Sequence, residues 1–170
     1  MIIGVDRSGD ESSFPVVYVA VKCHDYRILD SLRQLVARRN PRKAMKSVLK
    51  ASDLIDTELR FIENNTKGEA VYSVTTAKSY HKFRKDNPLI RKAEQKLAFE
   101  NYLNILLPLA KDGDEIQLCR DFDEDSMKDI LGRLRGRLPC GVIIRLSEKS
   151  EAVIVADLLA GAKRRNLRKK

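Results

Sequence analysis

Four carboxylates in this chain sit where a carboxylate is costly. Asp6 closes the apolar run Met1-Ile2-Ile3-Gly4-Val5, and Asp121 follows the alternating segment Ile116-Gln117-Leu118-Cys119-Arg120. Glu100 fills a step between Leu97 and Leu103 in a helical apolar series that includes Leu89, Ala93, Leu107 and Ala110. Asp157 is the one acid between Ala152 and Gly161. Taken singly, a buried ion pair or a helix-flank position explains each about as well as chemistry does. Together they point to a shared site. Two strand ends and two helix stripes can converge, and packed carboxylates repel unless a metal lies among them. Oxygen ligands select hard cations, Mg²⁺ or Mn²⁺, over zinc. Two such ions, typically ~3.5–4 Å apart, activate water and stabilise the leaving oxygen in phosphodiester hydrolysis. Asp123 has the strand parity of Asp121 and could replace it, and Glu148 could support the last acid. Glu94, Asp10 and Glu11 read as surface.

The elements that must position these acids follow from pattern. The first residues read as a buried strand delivering Asp6, and 7–13 as a turn. Residues 14–23 are β-branched and aromatic, with Pro15 at the start, so the two strands should form an antiparallel hairpin. From 25 to about 66 the periodicity is helical, ended once by Asn40-Pro41 and again by Asn64-Asn65. This predicts a helical insertion within one domain spanning 1–170. Residues 69–77 return to strand composition, and a basic polar stretch follows with Lys78, His81, Lys82, Arg84 and Lys85. A long helix from Asn87-Pro88 to about 110, a strand over 115–120, a helix over 125–135 and a short strand over 142–145 complete the middle. Ser150 is placed to cap a last helix running to about 165.

With 170 residues the chain can bury a core without staples. Its charge is +9, from 33 Lys and Arg against 24 Asp and Glu, and a positive excess suits a polyanionic partner such as nucleic acid. No apolar run approaches the ~20 residues needed to span a bilayer, and no secretory signal is evident, so a cytoplasmic location without membrane contact is expected. The three scattered cysteines, Cys23, Cys119 and Cys140, read as small buried thiols. Only His24 lies beside a cysteine, so zinc is not indicated, and neither His24 nor His81 is a catalytic candidate.

The sequence resembles the ribonuclease H-like superfamily of nucleases. The matching stretches are Asp6 in Ile-Gly-Val-Asp-Arg-Ser-Gly, Glu100 in Leu-Ala-Phe-Glu-Asn-Tyr-Leu, Asp121 in Gln-Leu-Cys-Arg-Asp and Asp157 in Val-Ala-Asp-Leu-Leu-Ala-Gly. The first and last look like a prokaryotic and archaeal branch. The resemblance implies an α/β fold, a mixed sheet flanked by helices, carrying a divalent-metal-dependent nuclease with Asp6, Glu100, Asp121 and Asp157 as catalytic metal ligands. Mg²⁺ or Mn²⁺ is the implied cofactor and nucleic acid, RNA or DNA, the partner. The chain departs from the family by its insertion and by having no Trp for the basic handle that grips RNA–DNA hybrids. Single-stranded nucleic acid is therefore the expected substrate, with exonucleolytic cleavage and homo-oligomerisation left open. Arg7, Arg42, Lys43, Lys46, Lys82, Arg164 and Arg165 are the expected nucleic-acid contacts.

Other readings fit less well. Actin-like and sugar-kinase ATPases need a second domain and a second phosphate loop. Haloacid-dehalogenase phosphatases want an Asp two positions after the first, where this chain has Ser8. The main alternative is a nucleic-acid-binding module on the same scaffold that does not cut, and retention of four acids in its cleft would work against it. A protein-interaction module would want exposed apolar stripes, which the pattern does not show.

Overall fold

Ile3 and Val5 alternate with Gly4 and Asp6 along β1 (Ile2–Ser8), and this alternation decides how the molecule is layered. The computed structural model describes residues 1–22, 25–66 and 69–170. Ile3 and Val5 enter a core shared with Tyr102, Ile105, Ile116, Leu118, Met127 and Ile130. On the other face, a Cβ on Gly4 would come within 2.0 Å of the Ala152 carbonyl oxygen. The absent side chain lets the last helix lie directly on the strand. Asp6, two residues further on, shares that face.

β1 pairs antiparallel with β2 (Val16–Lys22), as the hairpin reading expected, and β2 pairs antiparallel with β3 (Ala70–Thr75). On its other edge β1 pairs in parallel with β4 (Glu115–Leu118), which pairs in parallel with β5 (Ile143–Leu146). The sheet order is β3-β2-β1-β4-β5. β1 is therefore the central strand, and the ends of β1 and β4 lie side by side.

Between β2 and β3 run α1 (Ile28–Arg39), α2 (Pro41–Ala44), a 3₁₀ turn at Ala51–Asp53 and α3 (Asp56–Asn65). This is the expected helical insertion. It packs with α7 (Glu151–Arg168) and the Val17, Val19 and Val21 face of β2. Arg39 ties α1 to α3 through a two-pronged contact with buried Glu58, both N···O distances 2.9 Å. The basic stretch after β3 is helical, α4 (Ala77–Asp86), because the Thr76 hydroxyl caps it by accepting from the Ser79 amide at 3.2 Å. α5 (Ile90–Leu106) and α6 (Glu124–Arg135) cover the opposite face of the sheet. Ser150 caps α7 as expected, accepting from the Val153 amide.

Cys23 and His24 lie outside the described residues. Cys140 is exposed and Cys119 half-buried, so the expectation of buried thiols fails for Cys140. Among the described residues no helix is long and apolar enough to cross a membrane.

Candidate metal centre

Three of the four acids converge. Asp6 at the end of β1, Asp121 just past β4 and Asp157 in the second turn of α7 line one cavity of about 400 Å³. Oxygens of Asp6 and Asp121 and the Cys119 sulfur lie within 4.8 Å of one another. Each acid arrives by a different physical route. Asp6 is delivered by the central strand and is 6 % exposed. Asp121 is delivered by the parallel neighbour of that strand, with the Cys119 amide still donating to the Val5 carbonyl at 3.1 Å. Asp157 is carried by a helix seated on Gly4.

The carboxyls of the cluster are held above their ordinary range. Burial, then the fields of Asp121 and Asp157, push the Asp6 carboxyl up from 3.8 to about 8. Its partners are the Arg7 amide, donating at 2.8 Å, and the Cys119 thiol. Burial likewise raises Asp121 to about 6, against the Tyr102 hydroxyl, which donates at 2.6 Å, and the Arg7 guanidinium. Burial raises Asp157, opposed by Lys50 and the Ala51 amide. Burial and the Asp6 charge push the Cys119 thiol far above its ordinary range.

The structure does not bring Glu100 to the other three acids. Glu100 does not line the cavity, and the inward side of α5 is set by Ala98, Asn101, Tyr102, Ile105 and Leu106. The apolar series around Glu100 does not mark one inward stripe: Ala93 and Ala110 are buried, whereas Leu89 and Leu107 are 63 % and 50 % exposed. The inward stripe contains polar Asn101, which accepts from the Ser73 hydroxyl at 2.6 Å and donates to Thr75 Oγ1 at 3.2 Å. A count of apolar residues misses it. Glu94, four residues before Ala98, is the helix acid that turns inward. Burial first and the Glu11 charge second raise it, and Tyr80 donates to it at 3.4 Å. Asp123 is the exposed cap of α6, accepting from the Ser126 amide and pairing with Arg91 at 2.7 Å, so it does not replace Asp121. Glu148 lines the cavity, as suggested.

The cations are distributed differently from expectation. Arg7 points into the protein. It stacks 4.2 Å over Phe122, pairs with Glu11 at 3.3 Å and lies 3.9 Å from the Asp121 carboxylate. Glu11 is accordingly a partly buried partner rather than free surface. Arg164 and Arg165 are braces: Arg164 donates to the Pro15 carbonyl at 2.9 Å, and Arg165 to the Leu54 and Ala51 carbonyls at 3.0 and 2.9 Å. Lys46 pairs with Asp53 at 2.6 Å and Lys43 reaches the Asp53 carbonyl at 3.4 Å. Arg42 and Lys82 are exposed. Three cations not singled out from the sequence, Lys50, Arg120 and Lys149, line the acid cavity, exposed and without a carboxylate partner among the described residues. Two of them neighbour site acids in the sequence, Arg120 before Asp121 and Lys149 after Glu148, and that adjacency was the available signal.

No protein-family model and no curated protein matches the chain in sequence. Solved structures do match. The ribonuclease H2 of Pyrococcus horikoshii aligns with TM-score 0.62 and 16 % identity over 99 % of this chain and 74 % of its own. The RNase HII of Archaeoglobus fulgidus, solved as a complex with PCNA, aligns at 0.59 and 18 % over the same shares. Bst-RNase HIII, solved with Mn²⁺, aligns at 0.62 and 16 % over 97 % of this chain and 52 % of its own. The chain has the ribonuclease H-like α/β fold.

Proposed function

We propose that the chain is a divalent-metal-dependent nuclease in which Asp6, Asp121 and Asp157 hold the cation. The observation that carries this reading is their convergence on one cavity, where burial raises all three carboxyls and neighbouring site carboxylates add to the rise at Asp6 and Asp121. Such a cluster gains from a hard cation, and a lining of three aspartates with a single thiol favours Mg²⁺ or Mn²⁺. A bound ion would supply Lewis-acid polarisation and an activated water for phosphodiester hydrolysis. Glu100 is not part of the proposal.

The protein's own residues would do the rest. Tyr102 and Arg7 hold the Asp121 carboxylate in place from behind. The Arg7 amide fixes one Asp6 oxygen. Lys50, Arg120 and Lys149 at the rim would draw in phosphates, which is where the excess positive charge is useful. Single-stranded nucleic acid is the proposed substrate, since the chain has no Trp for a hybrid-gripping handle. A neighbour crystallised with Mn²⁺ supports the choice of ion.

One observation favours a second reading, a binder that does not cut. Arg7 lies within 3.9 Å of Asp121 and already offsets part of the charge a metal would offset. The two readings separate in a cleavage assay on labelled single strands, duplexes and hybrids with Mg²⁺, Mn²⁺ or chelator. The nuclease reading expects metal-dependent cleavage of single strands and a loss of at least 100-fold in Asp6→Asn, on the order typical for a catalytic group. Equal cleavage by wild type and mutant, or none by either, hands the site to the binding reading.

A further inference from the structure

The last turns of α7 carry an excess of positive charge. Arg164 Nη2 donates to the Ser13 carbonyl and, at 2.8 Å, to the Ser13 hydroxyl oxygen; Arg168 Nη2 donates to the same oxygen at 2.6 Å. Two guanidinium groups thus share one neutral hydroxyl, and among the described residues neither has a carboxylate oxygen within 4.0 Å. Their neighbours Arg165 and Lys169 share a single acid, Asp56. Burial and then the Arg168 charge lower the Arg164 pKa, with Asp10 opposing. The arrangement is built by the fold: a Cβ on Gly9, whose φ is +92°, would meet the Arg164 guanidinium at 2.6 Å, so the missing side chain is what admits it.

These four cations line a cavity of about 390 Å³ together with Ser8 and Ser52. A guanidinium has five N–H donors. Nη1 of Arg164 and both Nε and Nη1 of Arg168 make no hydrogen bond among the described residues. The cavity lies beside the acid site on both elements that build it. Ser8 is two residues beyond Asp6 on the same face of β1, and the cavity reaches Gly161, one helical turn or ~6 Å beyond Asp157. A ligand spanning both must present a cation-compatible group to the acids and bare negative charge one step away. A phosphodiester chain does this by its repeat.

We infer that the Arg164–Arg168 pocket binds a backbone phosphate of the same strand that reaches the acid cavity, at a position further along the strand, since Arg164 and Arg168 lie roughly 10 and 16 Å beyond Asp157 along α7; this rests on the nucleic-acid reading above. The test separates binding from cleavage. A labelled single-stranded oligonucleotide is titrated by fluorescence anisotropy, with chelator present and Asp6→Asn as background, at several salt concentrations. Arg168 is exposed at the end of α7, so Arg168→Gln keeps the fold, which circular dichroism and Tm verify. Arg135→Gln removes an equal exposed charge from α6, on the opposite face of the sheet. Arg168→Gln should weaken binding roughly 5–10-fold at low salt and reduce the log–log salt slope by about 0.7–1, Arg168→Lys should recover part of it, and Arg135→Gln should change neither. Equal effects of the two Gln variants, no effect of Arg168→Gln, or no strand binding by the background protein overturns the pocket. If wild type cuts nothing yet Arg168→Gln alone weakens binding, the pocket stands and only the nuclease reading falls.

Discussion

Replacing Asp6 by Asn should make the metal-free protein more stable. The carboxyl ionises near 3.8 in the unfolded chain and is pushed up to about 8 in the fold by burial and by Asp121 and Asp157. The sign follows from linkage: a carboxyl whose folded pKa is raised costs nothing below about pH 4, where both states are protonated. The cost grows from there and levels off above about pH 8. At pH 7 about three pKa units of this window have been crossed, at ~1.4 kcal/mol each, which gives a ceiling of ~4 kcal/mol. Asn keeps the shape and can still accept from the Arg7 amide, so it removes the charge without opening a cavity. A gain of ~2–4 kcal/mol in a protein of this size is a rise in Tm of roughly 5–15 °C. The assay is thermal unfolding of both proteins in chelator from pH 4 to 8. The reasoning requires a Tm gap that is near zero at pH 4 and widens with pH. A gap that is absent at pH 8, or constant across the range, refutes it.

Two further outcomes follow from the same structure. Asp114 is buried, and despite that burial its hydrogen bonds to Lys22 Nζ (2.5 Å) and the Lys111 amide (2.8 Å) hold its carboxyl down to about 2. Its contribution is therefore present above about pH 4 and lost as pH falls toward 2; Asp114→Asn should cost about 2 kcal/mol in denaturant unfolding at pH 7 and much less at pH 2. Gly4→Ala should force α7 away from β1, because the added carbon would sit 2.0 Å from the Ala152 carbonyl oxygen. We expect a loss of at least ~1–3 kcal/mol in the same unfolding assay, together with weakened Mn²⁺ binding as Asp157 moves off Asp6.

The sheet, the hairpin and three acids that line one cavity were legible because each has a local signature. Asp6, Asp121 and Asp157 stand alone among apolar residues, and a lone acid in such a run needs a partner. Glu100 misled because helix phase was judged from apolar residues alone, whereas the inward face of α5 carries Asn101, satisfied by Ser73 and Thr75 on β3. Arg164 and Arg165 were legible as cations but not as braces. Their acceptors, Pro15, Ala51 and Leu54, lie more than 100 residues away in sequence, and no local pattern announces them. Arg7 gave little sign that it would turn inward: Glu11 is four residues away, but Phe122 and Asp121 reach it only when β1 and β4 pair. Lys50, in the irregular part of the insertion, likewise reaches the site only through the way that insertion packs on α7.

The central claim is that three carboxylates form one cation site. Mn²⁺ titration by calorimetry tests it most directly, on wild type, Asp6→Asn, Asp157→Asn and Glu100→Gln at pH 7.5. The account predicts saturable binding by wild type and by Glu100→Gln, and loss of that binding in both Asp variants. Binding that survives Asp6→Asn and Asp157→Asn, or that disappears with Glu100→Gln, would contradict it.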